Sequence, residues 1–397
     1  MATTSKVRNY NVDFWRIFLT IAFVGVHVII VMPPTLGGKP NLSVFGGWGP
    51  MMIPFFIFTG YFLMHAVRRT KTRNPDADVM TASWKYLRSR LVYFFPALVI
   101  GQIFGFLVTN ISQHNPLSEW PLRFLDSLWE ICGFQLTGLG MGNTWVGYGG
   151  GANNTWRMLN GPLWYISGTL ILGWLVYFLL YKYEDFCLGV LFPIGWLLTN
   201  GAYNVNGWNP AWGTYLFVSE RFPTGVLNDK LVHMFFGFGL GAVLFRIIEG
   251  IDKAYPDGFS KKATWALTIL NGFLNIFFIV HMFYGFQLSL ATCWGLLALM
   301  CFLILLNRDY YNAWFSKVFG FILKPAGKIA MYIYIFHYPM IRIVYGWVGL
   351  ENQLLCFLIV VAMATAVSVV YHICYVRYIE PYFNKKPAVK PEALAKQ

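Results

Sequence analysis

Hydrophobic positions along this chain fall into long, nearly uninterrupted runs, separated by short polar connections and two longer ones. Ten runs are long enough to cross a hydrocarbon layer of ~30 Å at about 1.5 Å per helical residue. They cover residues 14–33, 50–67, 91–110, 162–181, 186–203, 230–248, 263–283, 286–306, 326–347 and 353–375, and the ninth is open to a start as early as Phe315. The pattern predicts an all-α fold, a polytopic membrane helix bundle with about ten transmembrane helices. A secretory signal has a short apolar core and a small-residue cleavage site. The first run here extends from Phe14 to Met32 before meeting Pro33 and Pro34, and it reads as a retained first span.

Composition supports this reading. Of the 397 residues 57% are hydrophobic and 12% charged, where a soluble domain carries about a quarter charged residues. The mean hydropathy is +0.53. A formal charge of +13 raises the question of a nucleic-acid partner, but its distribution gives a different answer. With the N-terminus placed inside, 24 of the 30 Lys and Arg residues fall on the inner side, leaving only Lys39, Arg123, Arg157, Arg221, Lys230 and Arg342 outside. That is the positive-inside bias of a membrane protein. The expectation is therefore a multi-pass protein of the plasma (inner) membrane with both termini cytoplasmic, in contact with membrane lipids and with no nucleic acid. Residues 1–380 form one integral-membrane domain, and 381–397 form a cytoplasmic basic tail.

The cysteines offer no disulfide framework and no metal-ligand spacing, so no metal is expected. Cys187, Cys293, Cys301, Cys356 and Cys374 fall in or beside apolar runs, and Cys132 lies in the long outside connection. That connection, about residues 111–161, contains "LGMGNTWVGYGGGANNTWRMLNGPLW"; a second outside loop contains "YNVNGWNPAWGTYLFVSERF". Amides match sugar hydroxyls and flat rings cover the apolar faces of sugars, which makes Trp156, Trp164 and Tyr165 candidate acceptor-binding residues. The other reading of these segments is an irregular loop with an aromatic interface belt.

Five histidines, His27, His233, His281, His337 and His372, lie in or at the edges of apolar runs. A polar side chain at that depth faces the bundle interior or a cavity, as a hydrogen-bonded structural group or as a chemical one. His27 follows Arg16 by eleven residues, or ~17 Å along a helix, which takes it past the midplane from a boundary at Arg16. Asp13 is ~21 Å from it by the same rise and cannot orient the imidazole. Asp13 and Arg16 are one turn apart and are expected to pair.

The spacing of Asp13, Arg16 and His27 resembles the first helix of the membrane acyltransferase-3 family, O-acyltransferases of cell-surface carbohydrates. Further segments are similar to that family in the same order: "PFFIFTGYFL" at 54–63, "YLRSRLVYFFP" ending at Pro96, "GPLWYIS" at 161–167, "FFGFGLGAVL", and "AGKIAMYIYIFHYPMI". Two positions depart. Tyr93 stands where a second arginine is common, and Thr169 stands where many members have a glutamate.

The resemblance implies transfer of an acyl group from coenzyme A to a carbohydrate hydroxyl. Acetyl-CoA or another acyl-CoA would be the donor substrate and a glycan the acceptor. The phosphates of such a donor need guanidinium groups at the inner mouth, where Arg16, Arg88 and Arg90 are expected. His27 is then the candidate catalytic residue, as general base or as acyl carrier. His337, just before Pro339, is a second candidate near the acceptor, because a proline in a span frees a backbone carbonyl and bends the helix where cavities are often lined. A transporter or flippase of a lipid-linked or acylated carbohydrate is the competing class, since it also uses intramembrane histidines and broken helices.

Overall fold

The computed structural model describes residues 8–32, 51–128, 160–206, 215–216, 227–284, 288–347 and 352–384. Each of the ten apolar runs coincides with a helix. In chain order these are α1 (Tyr10–Val31), α2 (Met52–Arg73) and α3 (Val79–Ser112), followed by a short helix α4 (Trp120–Asp126). Then come α5 (Trp164–Lys182), α6 (Phe192–Asn206), α7 (Asp229–Ala254), α8 (Lys261–Tyr284), α9 (Leu290–Leu306), α10 (Tyr311–Arg342) and α11 (Gln353–Cys374). Among the described residues the one strand pairing is a two-residue antiparallel bridge, Tyr215 to Asn228 and Leu216 to Leu227.

Seven helical segments among the described residues are long and apolar enough to cross a membrane, against the ten expected. The remaining three have identifiable shortfalls. The last turns of α2 carry Arg68, Arg69, Lys71 and Arg73, which dilute its hydropathy. The helices α6 and α9 have only 15 and 17 residues. α6 is preceded by a helical turn at Glu184–Phe186 and a wide π turn at Cys187–Leu191.

Two helix pairs dominate the packing, α2 with α7 and α1 with α10, and α10 also packs on α11 and α3. Small residues let α2 and α7 approach backbone to backbone, a device suited to apolar surroundings that provide no hydrophobic drive between helices. A methyl group added at Gly60 would strike the carbonyl of Phe238, and one at Gly241 would strike the carbonyl of Ile57.

Polar contacts collect at the basic end of the bundle, the end that carries Arg16, Arg68 and Lys71. Arg68 bridges Glu184 at 2.6 Å and Glu249 at 3.2 Å, Lys71 joins Glu184 at 3.0 Å, and Arg308 pairs with Asp252 at 2.7 Å. The side chain of Asn9 caps α1 and also donates to the Ile304 carbonyl at 2.7 Å. A chain of amides then fixes the rotation of α1. Trp15 Nε1 donates to Asn275 Oδ1 at 2.5 Å, Asn275 donates to Asn271 Oδ1 at 2.9 Å, and Asn271 donates to Asp309 at 2.5 Å. Burial pushes the Asp309 carboxyl above its usual pKa, and the bond from Asn271 opposes that shift. With Trp15 held on α8, the neighbouring Arg16 is turned toward α2 and α10.

The close crossing of α2 and α7 makes a test. Gly60→Ala is expected to lose about 1–3 kcal/mol through overpacking, while Gly295→Ala, where a methyl meets open space, stays within about 0.5 kcal/mol of wild type. Thermal unfolding in detergent reads both, and equal melting points for the two variants would contradict the packing described.

Candidate active site

Two of the sequence candidates, 310 positions apart, are in direct contact. His27 is on α1 and His337 on α10, and His337 Nε2 lies 2.9 Å from His27 Nδ1. The ring centroids are 5.0 Å apart with planes inclined by 34°. His337 is fully buried and His27 is 7% exposed.

The bonding around His337 fixes the tautomers of the neutral pair. Its Nδ1 is 2.7 Å from the carbonyl oxygen of Tyr334, three residues back on α10. A carbonyl oxygen only accepts, so the proton of neutral His337 is on Nδ1. His337 Nε2 is then an acceptor, and the bond to His27 is made by the Nδ1–H of His27. The lone pair of His27 is left on Nε2. A general base needs this arrangement, in which one ring nitrogen is held by a partner and the other is open.

Aromatic rings enclose the pair. Tyr338 meets His27 edge to face at 5.9 Å, and Phe23, one turn before His27, stacks on it at 6.1 Å. Phe23 in turn contacts Phe55 at 5.9 Å and Tyr334 at 6.1 Å, and Tyr165 closes the group at 5.7 Å from Phe55 and 6.0 Å from Tyr334. Hydrogen bonds fix the two tyrosines. Tyr334 donates its hydroxyl to the Pro162 carbonyl at 2.6 Å, and the hydroxyls of Tyr165 and Thr59 are 2.8 Å apart.

On the side of this collar toward the basic end lies a cleft with only about 10 Å³ of free space. Arg16, Thr20 and Met52 line it together with the collar rings Phe55, Tyr165 and Tyr334. The expected pairing of Asp13 with Arg16 is not formed. Asp13 instead takes Arg8 at 2.5 Å, and Arg8 also donates to the Lys324 carbonyl at 3.2 Å. The reason is geometric: Arg8 precedes the helix and can fold back on Asp13, while Gly327 leaves room for the carboxylate against α10. No ion pair engages Arg16 among the described residues, and its half-buried guanidinium faces the cleft.

The other candidates are more dispersed. Arg90 lies over the Tyr86 ring at 5.2 Å, Arg88 is exposed, and neither lines the cleft. Tyr93, in the place of a second arginine, joins Tyr332 and Tyr375 in an aromatic group. Thr169 returns its hydroxyl to the Tyr165 carbonyl at 2.8 Å, so it sits beside the collar without a carboxylate's charge. Trp164 packs edge-on to Phe56 at 6.3 Å. Trp156 lies outside the described residues, as does Cys132. No cluster of three or more metal-ligating side chains occurs among the described residues.

The family model for the acyltransferase-3 acyltransferase domain matches residues 9–373, nearly the whole chain. The chain belongs to the acyltransferase-3 family. No curated protein and no solved structure matches it. For this acyltransferase the long apolar helices mean a multi-pass membrane protein, and family membership favours an enzyme over a transporter.

Sequence reasoning singled out His27 and His337 separately and missed their contact, as it missed Phe23, Tyr334 and Tyr338. A signal was present, since Phe23 precedes His27 by four residues and Tyr334 precedes His337 by three, which puts each aromatic on the face of its histidine.

The tautomer assignment is open to measurement. In protein labelled with ¹⁵N at histidine, solid-state NMR at a pH where the pair is neutral is expected to find His27 protonated on Nδ1 and bare on Nε2. A proton on His27 Nε2 and none on Nδ1 would refute the bonding pattern.

Proposed function

We propose that the protein is an integral-membrane O-acyltransferase, most simply an O-acetyltransferase, that moves an acyl group from cytoplasmic acyl-CoA to a hydroxyl of a cell-surface or exported glycan. The observation that carries this reading is the buried His27–His337 pair, whose bonding assigns the lone pair of His27 to Nε2. Arg16, on the far side of the aromatic collar and without an ion pair among the described residues, supports it. In this reading all ten helices span the plasma membrane, the basic end is cytoplasmic along with both termini, and lipids surround the bundle. Nucleic acid has no part in it.

The donor's phosphates stay at the basic end, where Arg16 and Arg90 form charge-assisted hydrogen bonds and Arg88 adds charge at the rim. The pantetheine arm enters the cleft beside Arg16. At its present width the cleft cannot hold that arm, so the rings of Phe55 and Tyr165 must turn when the donor enters. The thioester then meets His27 beyond the collar. The acceptor sugar arrives from the opposite end, with Trp164, Tyr165 and Trp156 as candidate contacts.

The chemistry follows from the tautomers. His27 Nε2 removes the proton of the sugar hydroxyl while that oxygen attacks the thioester carbonyl carbon. The imidazolium keeps its Nδ1–H bond to His337 Nε2, so His337 orients the base and shares the positive charge. Collapse of the tetrahedral intermediate breaks the carbon–sulfur bond, and the coenzyme A thiolate takes the proton back from His27 Nε2. A route in which His27 Nε2 itself carries the acyl group uses the same lone pair.

His27→Gln is expected to reduce acetyl transfer by about 10²–10⁴-fold with acetyl-CoA affinity unchanged, whereas Arg16→Ala loses about tenfold or more in that affinity. Thiol release from acetyl-CoA with a glycan acceptor and isothermal titration separate the two effects. A His27→Gln enzyme within a few-fold of wild type would end the proposal.

Orientation has its own test in single cysteines placed at exposed positions. Labels at Asp76 and Asp257 should react only from the cytoplasmic side, and a label at Gln113 only from outside. Reaction of Gln113 and Asp76 from the same side would reject the topology.

A further inference from the structure

We propose that Asn160 is a positioning residue for the histidine pair, a side-chain latch that replaces the backbone hydrogen bond Pro339 removes from α10. The proposal rests on the catalytic reading above for its effect on rate, and on geometry alone for the latch.

Pro339 lies inside α10, two residues after His337. It has no N–H, so the carbonyl four residues back loses its helical partner. That carbonyl belongs to Ile335, in the turn between Tyr334 and His337. An unpaired carbonyl there, in apolar surroundings, costs several kcal/mol. The side-chain amide of Asn160 fills the vacancy: its Nδ2 donates to the Ile335 oxygen at 2.8 Å, and the residue is fully buried. Two neighbours keep the amide in place. Tyr334 donates to the Pro162 carbonyl at 2.6 Å, tying down the segment just after Asn160. Gly101 on α3 lets that helix close over the contact, since a methyl there would lie 2.6 Å from the Ile335 side chain and 3.7 Å from Asn160 Nδ2.

The latch joins two parts that the proposed reaction must keep in register. On one side is the turn of α10 whose Tyr334 carbonyl fixes the His337 tautomer. On the other is the end of the long connection of residues 111–161, which leads into the turn at Gly161–Leu163 and the Trp164–Tyr165 pair at the start of α5. A helix with an ordinary residue at 339 would satisfy Ile335 by itself, and a bond from this connection would then be only a second one to a carbonyl already paired. Proline at 339 thus ties Asn160, at the end of that connection, to the helix that carries His337.

The distinguishing prediction is that removing the proline compensates for removing the amide. Asn160→Ala is expected to lower kcat for acetyl transfer on the order of 10²-fold, the typical effect of a small misplacement of catalytic groups. The KM for acetyl-CoA should be unchanged. Adding Pro339→Ala, which restores a backbone N–H to Ile335, should return at least tenfold of the loss. Asn160→Asp gives a second handle. Its carboxylate cannot donate to Ile335 while the protonated acid can, so its activity relative to wild type should rise as the pH falls from about 8 to about 5.5. Asn160→Ala shows no such trend. Detergent melting curves for each variant establish that it is folded and supply a cycle that reads the latch without activity. In that cycle the melting-point loss from Asn160→Ala should be smaller in the Pro339→Ala background. Additive losses would overturn the latch even if His27 proves catalytic. A coupled cycle together with an active His27→Gln enzyme would leave the latch standing and remove the catalytic reading. Wild-type kcat in a folded Asn160→Ala protein would refute the positioning role.

Discussion

Two imidazoles side by side in an apolar interior have only one economical arrangement, and much of this bundle is built to supply it. Uncharged, the pair holds two ring protons and four nitrogens, and each buried N–H needs an acceptor. The Tyr334 carbonyl takes one proton and His337 Nε2 takes the other, which leaves a single lone pair, on His27 Nε2. Such a pair tolerates little sliding between α1 and α10. The tight packing of those helices, the pin of Trp15 into the amide chain on α8, and the Arg8–Asp13 pair against α10 all resist relative movement of these two helices. Contacts many residues from the histidines therefore bear on whether Nδ1 of one ring meets Nε2 of the other.

Polarity along the bundle is divided by the collar of Phe23, Phe55, Tyr165 and Tyr334. Below it is a narrow cleft with one guanidinium that makes no ion pair among the described residues, and above it is the imidazole pair proposed to supply the base. Coulomb interactions strengthen where water is excluded, so a cation directly beside the base would disfavour its protonation. Arg16 is held apart from His27 by about three helical turns and the aromatic layer. The same layer is an obstacle to any donor, and its tyrosines are held through their hydroxyls, Tyr165 at Thr59 and more loosely at the Phe55 carbonyl, and Tyr334 at the Pro162 carbonyl. Such rings can turn without unpacking a helix.

Most of the architecture was legible in the sequence because the solvent for a membrane helix is uniform, and a run of apolar residues reports directly on it. All ten runs are helices, and the histidine candidates were marked by the cost of a polar group at that depth. The count of spans was less legible. α2, α6 and α9 are flanked or shortened by polar residues, and helices that bury themselves in a bundle need not be uniformly apolar or full length. Pairings were the least legible. Asp13 with Arg16 satisfied the local helical rule, but Arg8 lay just outside the helix where no periodicity could score it. The contact of His27 with His337 and that of Asn160 with Ile335 are tertiary, 310 and 175 residues apart in the chain. Only Pro339, with its certain loss of one N–H, announced in the sequence that some partner had to come from elsewhere.

Thr169 and His337 together bear on the kind of acid–base chemistry available. A carboxylate beside the collar would put a negative charge near the base and favour the imidazolium, as in a histidine oriented by aspartate. This chain has a hydroxyl there, turned back on its own helix, and in the proposed reading the base is oriented by a second, neutral imidazole. Neutral orientation fixes the tautomer without a permanent charge in the apolar layer. It also leaves the imidazolium as a short-lived species, stabilised by sharing with His337 and by the oxyanion forming on the thioester. In the proposed reaction one nitrogen, His27 Nε2, both takes the hydroxyl proton and returns it to the departing thiolate. The proton therefore passes from the sugar oxygen to the coenzyme A sulfur through one nitrogen, His27 ends as neutral as it began, and in this reading acyl transfer through the collar requires no net movement of charge across the membrane.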